Sequence, residues 1–341
     1  MDKDQITLIA PKIRGFSGTA SYVDNVIKGL TTTGLEFHTK YVSKKEISLF
    51  GKPFFGIFYQ FFMSRFITTS TPIVHALSPE VVTRKTNIVT IHDIIPFTNP
   101  QLYLKTNYDK VAYNLAFKRA LTVDNLLVST HHGKVQLLNH IKVPEERVHV
   151  VYHCIDHSKY FYDSSSPYKG ERINVVMLSD YNPRKRIDKI VEILKNDKEI
   201  DFYHIGPNQN WKANFDRVMK ISDGASNIHL LGPMSTDVTR KYLSNADLFV
   251  YLSEDEGFGY PILEALACGT KVLVSKIPVF EELLAGIASF VDIGSLSRDI
   301  FLEALKAGKT KEQLQDYSQK FSRSKMAEDL NNIYSTILDK L

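Results

Sequence analysis

Short apolar runs alternate with longer stretches of helical periodicity along the whole chain. That alternation predicts parallel β-sheets with helices on both faces. The first predicted strands are ITLIA from Ile6, IVHAL from Ile73, NIVTI from Asn87, NLLVS from Asn125 and VHVVY from Val148. A polar break follows, Asp163 to Gly170 (DSSSPYKG), with the Ser, Pro and Gly content of a linker. Beyond it come INVVML from Ile173, DFYHI from Asp201, NIHLL from Asn227, DLFVYL from Asp247 and TKVLVS from Thr270. The expected fold is α/β, with two doubly wound, Rossmann-like domains over residues 1–165 and 171–321. The closing segment, 322–341, has leucine, isoleucine and tyrosine at helical spacing and reads as an amphipathic terminal helix. Ligands in such sheets sit at the carboxyl ends of strands, and two facing domains leave a central cleft.

The chemistry concentrates in EDEGFGYPILEALACGT, Glu254 to Thr270. Gly257 and Gly259 break regularity after the strand DLFVYL, Pro261 suits a first helical position, and Gly269 suits a stop, so the segment reads as strand, tight loop, helix. Glu256 falls on the loop and Glu264 in the first turn of the helix, whose unpaired N–H groups and dipole favour an anion. Ionised carboxylates accept hydrogen bonds from vicinal hydroxyls, so the expected ligand carries hydroxyls on both sides of its phosphates. Any one of these residues alone also fits a βα unit with a capped helix.

Other candidates are individually weaker. Gly15 and Gly18, in RGFSGTASY, lie in a turn that opens a helix, where bare backbone can approach a phosphate; two glycines in a βα turn are also common as structure. The pattern G-x-G-x-x-G is absent, which argues against a nicotinamide dehydrogenase. Arg184, Lys185 and Arg186 follow INVVML, so cations face the mouth of the second sheet, either for phosphate or as a solvated turn. His92 and Asp93 end the strand NIVTI, where reactive groups or satisfied structural residues both belong. His131 and His132 are adjacent and point apart, so they read as surface or cap residues rather than metal ligands.

Composition narrows the classes. At 341 residues with 43% hydrophobic content the chain suits two domains, and its net charge of +4, without a long basic tract, gives nucleic acid little support. The two cysteines, Cys154 and Cys268, read as reduced packing residues. No apolar run reaches the roughly 18 to 20 residues of a membrane span, and the opening MDKDQITLIAPKIRG is strand-like, so a cytoplasmic protein is expected. Phe54 to Ile67 (FFGIFYQFFMSRFI) is rich in aromatics, with Lys44, Lys45, Lys52 and Arg65 around it. The 44–67 region reads either as a helix buried on the first sheet or as peripheral contact with an anionic membrane at the inner face. If the second holds, Lys44→Glu, Lys45→Glu and Lys52→Glu weaken vesicle co-sedimentation; no change excludes it.

Taken together, Glu256, Gly257, Phe258, Gly259, Pro261, Glu264, Ala265, Ala267 and Gly269 resemble the signature of the retaining family 4 glycosyltransferases of the GT-B fold, including its mannosyltransferase-like branch. The glycine loop, T-I-H-D at His92, VHVVYHCID, PRK and LLG extend the resemblance over nearly the whole chain. It implies that the terminal helix crosses back onto the first domain, that Glu256 and His92 reach the transferred sugar, and that Glu264 holds the ribose. It also implies that Arg184 and Lys185 neutralise the diphosphate, with Gly257, Phe258, Gly259 and the Gly15–Gly18 loop close to it. Ser179 and Asp180 stand where many members carry a glycine and the arginine, so that role falls to Arg184 or Arg186. His75, in VHALSPE, matches a further segment of less definite role.

The resulting expectation is a metal-independent retaining glycosyltransferase without a cofactor. Its donor is a nucleotide diphosphate sugar, GDP- or UDP-linked with GDP-mannose weakly preferred, and its acceptor a glycan or lipid-linked glycan. A sugar-nucleotide epimerase or hydrolase, and a non-catalytic nucleotide-sugar-binding subunit, are the alternatives.

Overall fold

The computed structural model describes the chain except for residues 1–4, 14–16, 44–46, 50–51, 55, 105–106, 209–210 and 341. Two compact units result: residues 1–154 with 323–341, and residues 155–322. By packing the division falls at Cys154, before the polar stretch 163–170. That stretch lies on the second unit, where the Asp163 amide donates to Ser244 Oγ at 3.0 Å and Tyr168 Oη to the Tyr242 carbonyl at 2.7 Å.

In the first unit six parallel strands are β1 (Ile6–Lys12), β2 (His38–Ser43), β3 (Ile73–Ala76), β4 (Ile88–Ile91), β5 (Asn125–Val128) and β6 (Val148–Val150). They lie in the order β2-β1-β3-β4-β5-β6. Strand periodicity divides the core into two faces. Ile6, Leu8 and Ala10 pack with Tyr22, Val26 and Leu30 of α1 (Gly18–Thr32), whereas Ile9, Val74, Val89 and Leu126 pack on the other side with Phe117. Phe117 belongs to α3 (Asn107–Ala120), which packs against α2 (Gly56–Ser64). Between β2 and α2 a short hairpin pairs Ile47–Leu49 with Lys52–Phe54.

The second unit repeats the architecture with β7 (Ile173–Leu178), β8 (Ile200–Ile205), β9 (Ile228–Gly232), β10 (Leu248–Tyr251), β11 (Val272–Ser275) and β12 (Ser289–Val291), ordered β9-β8-β7-β10-β11-β12. All its pairings are parallel. The chain adds strands outward from β7 on one side, then returns to place β10 on the other, so β7 and β10 flank the topological switch point. The two doubly wound sheets match the architecture expected from the alternation, and both carry helices on their faces.

The terminal helix, Arg323–Leu338, packs on α1 in the first unit and buries Met326, Ala327, Leu330, Tyr334 and Ile337. Gly29 permits that close approach, since a Cβ there would meet the Arg323 carbonyl at 3.3 Å and the Ala327 Cβ at 3.4 Å. A hydrogen-bonded line crosses beneath it: Tyr334 Oη to His75 Nδ1 at 2.7 Å, His75 Nε2 to Thr90 Oγ1 at 2.9 Å, and Thr90 Oγ1 to Tyr22 Oη at 2.8 Å. His75 is therefore a structural tie. Among the described residues no helix is long and apolar enough to cross a membrane.

Candidate functional site

The two loops that leave β7 and β10 meet at the switch point. After β7, Asn182 accepts the Arg184 amide at 3.2 Å, a short turn spans Pro183–Lys185, and Arg186 adopts left-handed φ of +50° before the helix Ile187–Leu194 begins. After β10, the loop from Leu252 runs to Gly259, which caps the helix Tyr260–Ala267 at φ +97°. Only glycine fits there, because an added Cβ would lie 2.9 Å from Phe280 Cε1 as well as in an unfavourable backbone region. The Glu254 amide donates to the Arg184 carbonyl at 3.0 Å, joining one loop to the other. Ser275 Oγ secures the base, donating to the Ser253 carbonyl at 2.6 Å and accepting the Ser253 amide at 2.9 Å.

This backbone gathers Glu256, Lys185 and Arg184 into one buried cluster. Arg184 Nη1 lies 2.8 Å from Glu256 Oε1, and Lys185 Nζ pairs with the same oxygen. Lys185 Nζ also donates to Tyr251 Oη at 2.5 Å, and Arg184 Nη1 to Ser253 Oγ at 3.2 Å. Glu256 is 9% exposed and Lys185 5%. Burial raises the Glu256 pKa, but Lys185 and Arg184 outweigh it and hold the carboxyl at about 2. Burial also lowers the lysine pKa, against the attraction of Glu256. Two cations thus share one carboxylate oxygen, and the charge of Asp180 also acts on the lysine. Arg186 stands apart, paired with Glu254 at 2.7 Å and Asp188 at 3.6 Å, so it is Arg184 that joins the lysine.

Glu264 differs from its expected position. The helix begins at Tyr260, so Glu264 lies one turn inside it rather than in the first turn, and Pro261 is its second residue. Its carboxyl is partly buried, with the Tyr160 hydroxyl and the Lys159 charge as its polar influences. Burial lifts its pKa to about 7, against the lowering effects of Tyr160 and Lys159. The Phe258 side chain is buried against the Tyr260 and Phe321 rings at 5.4 and 5.9 Å. What Gly257, Phe258 and Gly259 offer a ligand is backbone. Gly269 ends the helix at φ +80°, as its position suggests.

The remaining candidates belong to the first unit. His92 follows β4 at the carboxyl edge, partly buried, with Nε2 donating to the Leu77 carbonyl at 3.0 Å. Burial outweighs that bond and holds its pKa near 4, so the ring is neutral at pH 7. Its neighbours are the rings of Tyr22, at 5.0 Å, and His153, at 5.5 Å. Gly18 opens α1, which Ser17 caps by accepting the Ala20 amide at 3.1 Å; Gly15 lies outside the described residues. Lys44 and Lys45 also lie outside them, as does the side chain of Lys52. His131 and His132 begin the helix His131–His140 under a Thr130 cap, and Cys154 and Cys268 are both buried. Tyr251, Ser253, Tyr160 and His153 belong to none of the sequence motifs that mark the other candidates. Tyr251 carries a signal, as the polar end of a buried strand; Tyr160 carries none.

Residues 160–291 match the model of the family described as glycosyl transferases group 1. Over 209 residues the chain is 27% identical to the O-antigen chain mannosyltransferase RfbU of Salmonella typhimurium, covering 60% of this chain and 56% of that one. The O-antigen biosynthesis glycosyltransferase WclY of Escherichia coli is 25% identical over 205 residues, 57% of each chain. The matched region thus spans little more than half the length of these relatives. Among solved structures, a sucrose-phosphate synthase from Thermosynechococcus elongatus superposes with a TM-score of 0.79 at 15% identity, over 98% of this chain and 99% of that one. HepE of Anabaena, in complex with UDP and glucose, gives 0.71 at 14% identity, over 97% and 99%. These structural likenesses establish the GT-B fold, two Rossmann-like domains.

Proposed function

We propose, from the match of residues 160–291 to the group 1 glycosyltransferase model, that the chain is a retaining glycosyltransferase moving a hexose from a nucleotide diphosphate sugar to a glycan or lipid-linked acceptor hydroxyl. The observation that carries the reading is the buried Glu256–Lys185–Arg184 cluster at the switch point between β7 and β10. As the glycosidic C–O bond breaks, negative charge grows on the diphosphate and positive charge on the sugar ring. Lys185, Arg184 and the amino end of the helix at Gly259 answer the first without a metal or other cofactor. In this reading Glu256, held ionised, accepts hydrogen bonds from sugar hydroxyls and offsets the positive charge that develops on the ring. Glu264 is the carboxylate for the ribose diol.

His92, neutral at pH 7, orients the sugar through a hydrogen bond rather than acting as an acid. The leaving phosphate then takes the acceptor proton on the same face, which retains configuration. GDP-mannose is the preferred donor to test first, supported by the O-antigen mannosyltransferase among the relatives; a UDP-sugar is the other, supported by the HepE complex with UDP and glucose. The same reading puts the reaction in the cytoplasm, peripheral to the membrane when the acceptor is lipid-linked.

The test is donor consumption with product analysis, after a thermal-shift screen of UDP, GDP and ADP sugars, since a bound ligand stabilises the fold by mass action. A glycosylated acceptor with the donor's anomeric configuration supports the reading. Free sugar or an epimerised nucleotide sugar as sole product, or binding without turnover, overturns it.

A further inference from the structure

The helix Tyr260–Ala267 at the candidate site is braced at both ends by residues 311–321, which lie beyond the family match at 160–291. The brace is a helix, Lys311–Ser318, started by reciprocal capping bonds between Thr310 and Gln313 and followed by a short turn, Gln319–Phe321. The two helices pack together. At the carboxyl end of Tyr260–Ala267, Gln315 Nε2 donates to the Ala267 carbonyl at 3.3 Å, and the Lys311 stem fills the space where Gly269 has no Cβ. At the amino end the contact is aromatic: the Phe321 ring meets the Phe258 ring edge-on at 5.9 Å.

This aromatic contact governs the loop. Phe258 stands between Gly257 and Gly259, so it is the one side chain that can anchor the chain between Glu256 and Tyr260. It is 5% exposed, and Phe321 6%. Phe321 is itself held in place: its carbonyl accepts the Ile155 amide at 3.0 Å, and its ring lies 6.4 Å from that of Tyr317, whose hydroxyl donates to the Leu283 carbonyl at 2.9 Å. Leu283 belongs to the helix Pro278–Leu284, which also carries Phe280, the ring behind Gly259. Tyr317 therefore joins the two aromatic walls of the loop, Phe321 behind Phe258 and Phe280 behind Gly259.

We propose that Phe321 is a positioning residue for the nucleotide sugar: through Phe258 it fixes the backbone of Gly257–Gly259 and the start of the helix that follows. This rests on the reading of that loop as donor-binding backbone. A phenylalanine that served stability alone would, when cut back, loosen the fold without singling out one loop. Here the loss falls on two glycines, whose backbone freedom is wide once Phe258 is released. The ion pairs of Glu256 with Lys185 and Arg184 stay in place, so binding suffers more than turnover.

The test is Phe321→Ala in the full chain, read by amide hydrogen exchange without ligand and by calorimetric titration with GDP and with UDP. Exchange in residues 254–262 should quicken about tenfold, while β7 and the helix Lys311–Ser318 exchange as in the parent. Affinity for the nucleotide that binds the parent should fall about tenfold, the scale of one aromatic contact, and donor KM should rise alike with kcat within about threefold. Phe321→Leu, which keeps bulk without the ring edge, should fall between parent and alanine, and it stands in if the alanine variant does not fold. Phe258→Leu should give losses of the same kind, and adding Phe321→Ala to it should cost little more, because both act on one contact. Parent-like exchange in 254–262, exchange quickened equally throughout residues 155–322, or additive losses in the double variant each overturn the proposal. A parent that binds neither nucleotide overturns the transferase reading instead, and the exchange data, which need no ligand, still decide whether Phe321 holds the loop.

Discussion

Arg184 Nη1 lies 2.8 Å from Glu256 Oε1, the same oxygen that pairs with Lys185, so one buried carboxylate oxygen balances two cations. Removing it should be felt in both stability and chemistry. Breaking a buried pair by deleting one partner costs about 3–5 kcal/mol, because the remaining charge is left uncompensated. Glu256→Ala should therefore lower the melting temperature by several degrees and abolish transfer. Glu256→Gln keeps the shape but not the charge, and should lose roughly 100- to 1,000-fold in kcat, the scale seen when a group that stabilises developing charge is removed. Full donor consumption by the alanine variant would reject the site assignment.

The Lys185–Glu256 pairing joins residues 71 positions apart, and it shows where sequence reading stops. Strand, loop and helix around Glu256 are legible because alternation, glycine and proline act locally. The contact with Lys185 depends on β7 lying beside β10, a matter of strand order that hydrophobic period does not encode. Likewise His75 owes its environment to Tyr334, 259 positions away on a helix whose apolar face was legible but whose partner was not. Glu264 lies beyond the first turn because the helix begins at Tyr260, one residue before the proline that marks its start in the sequence.

Lys185→Met tests the other half of the pair. It removes the charge while keeping an apolar stem in a site where the ammonium is buried against Tyr251. Arg184 remains to neutralise Glu256, so stability should fall less than in Glu256→Ala. Transfer should still drop, roughly 100-fold or more, since one of two cations answering the diphosphate is gone. The comparison of melting temperature with kcat for the two variants separates charge balance from catalysis.

Glu264, with its pKa raised to about 7, gives a pH signature of definite sign. The folded state holds the proton more tightly than the unfolded state, whose value is 4.5. This contribution to stability is fully present below pH 4.5 and is lost as pH rises through 7. Glu264→Gln should remove that pH-dependent loss, seen as a smaller decline in melting temperature across the window. A diol binds the ionised form best, so nucleotide affinity in the parent should rise over the same window and flatten in the variant. Parallel curves for parent and variant would contradict the burial of this carboxyl.

The His75–Tyr334 tie predicts its own loss. Tyr334→Phe leaves His75 Nδ1 buried without its partner, at a cost of about 1–3 kcal/mol, and loosens the terminal helix from the first sheet. Burial holds the His75 pKa near 3, with His92 a smaller influence, and His204 is likewise held near 3 by burial. The unfolded state binds protons more readily than the folded one, so the stability these rings contribute is present above pH 6.5 and is lost as pH falls toward 3. Glu264 opposes this trend down to 4.5; below that it is protonated in both states. His75→Gln should therefore melt less steeply with acid than the parent between pH 6.5 and 3, even if it is less stable at neutral pH. A variant that acidifies along the parent's curve would mean that His75 is charged in the fold, and the hydrogen-bonded line from Tyr334 to Tyr22 would have to be rebuilt around an imidazolium.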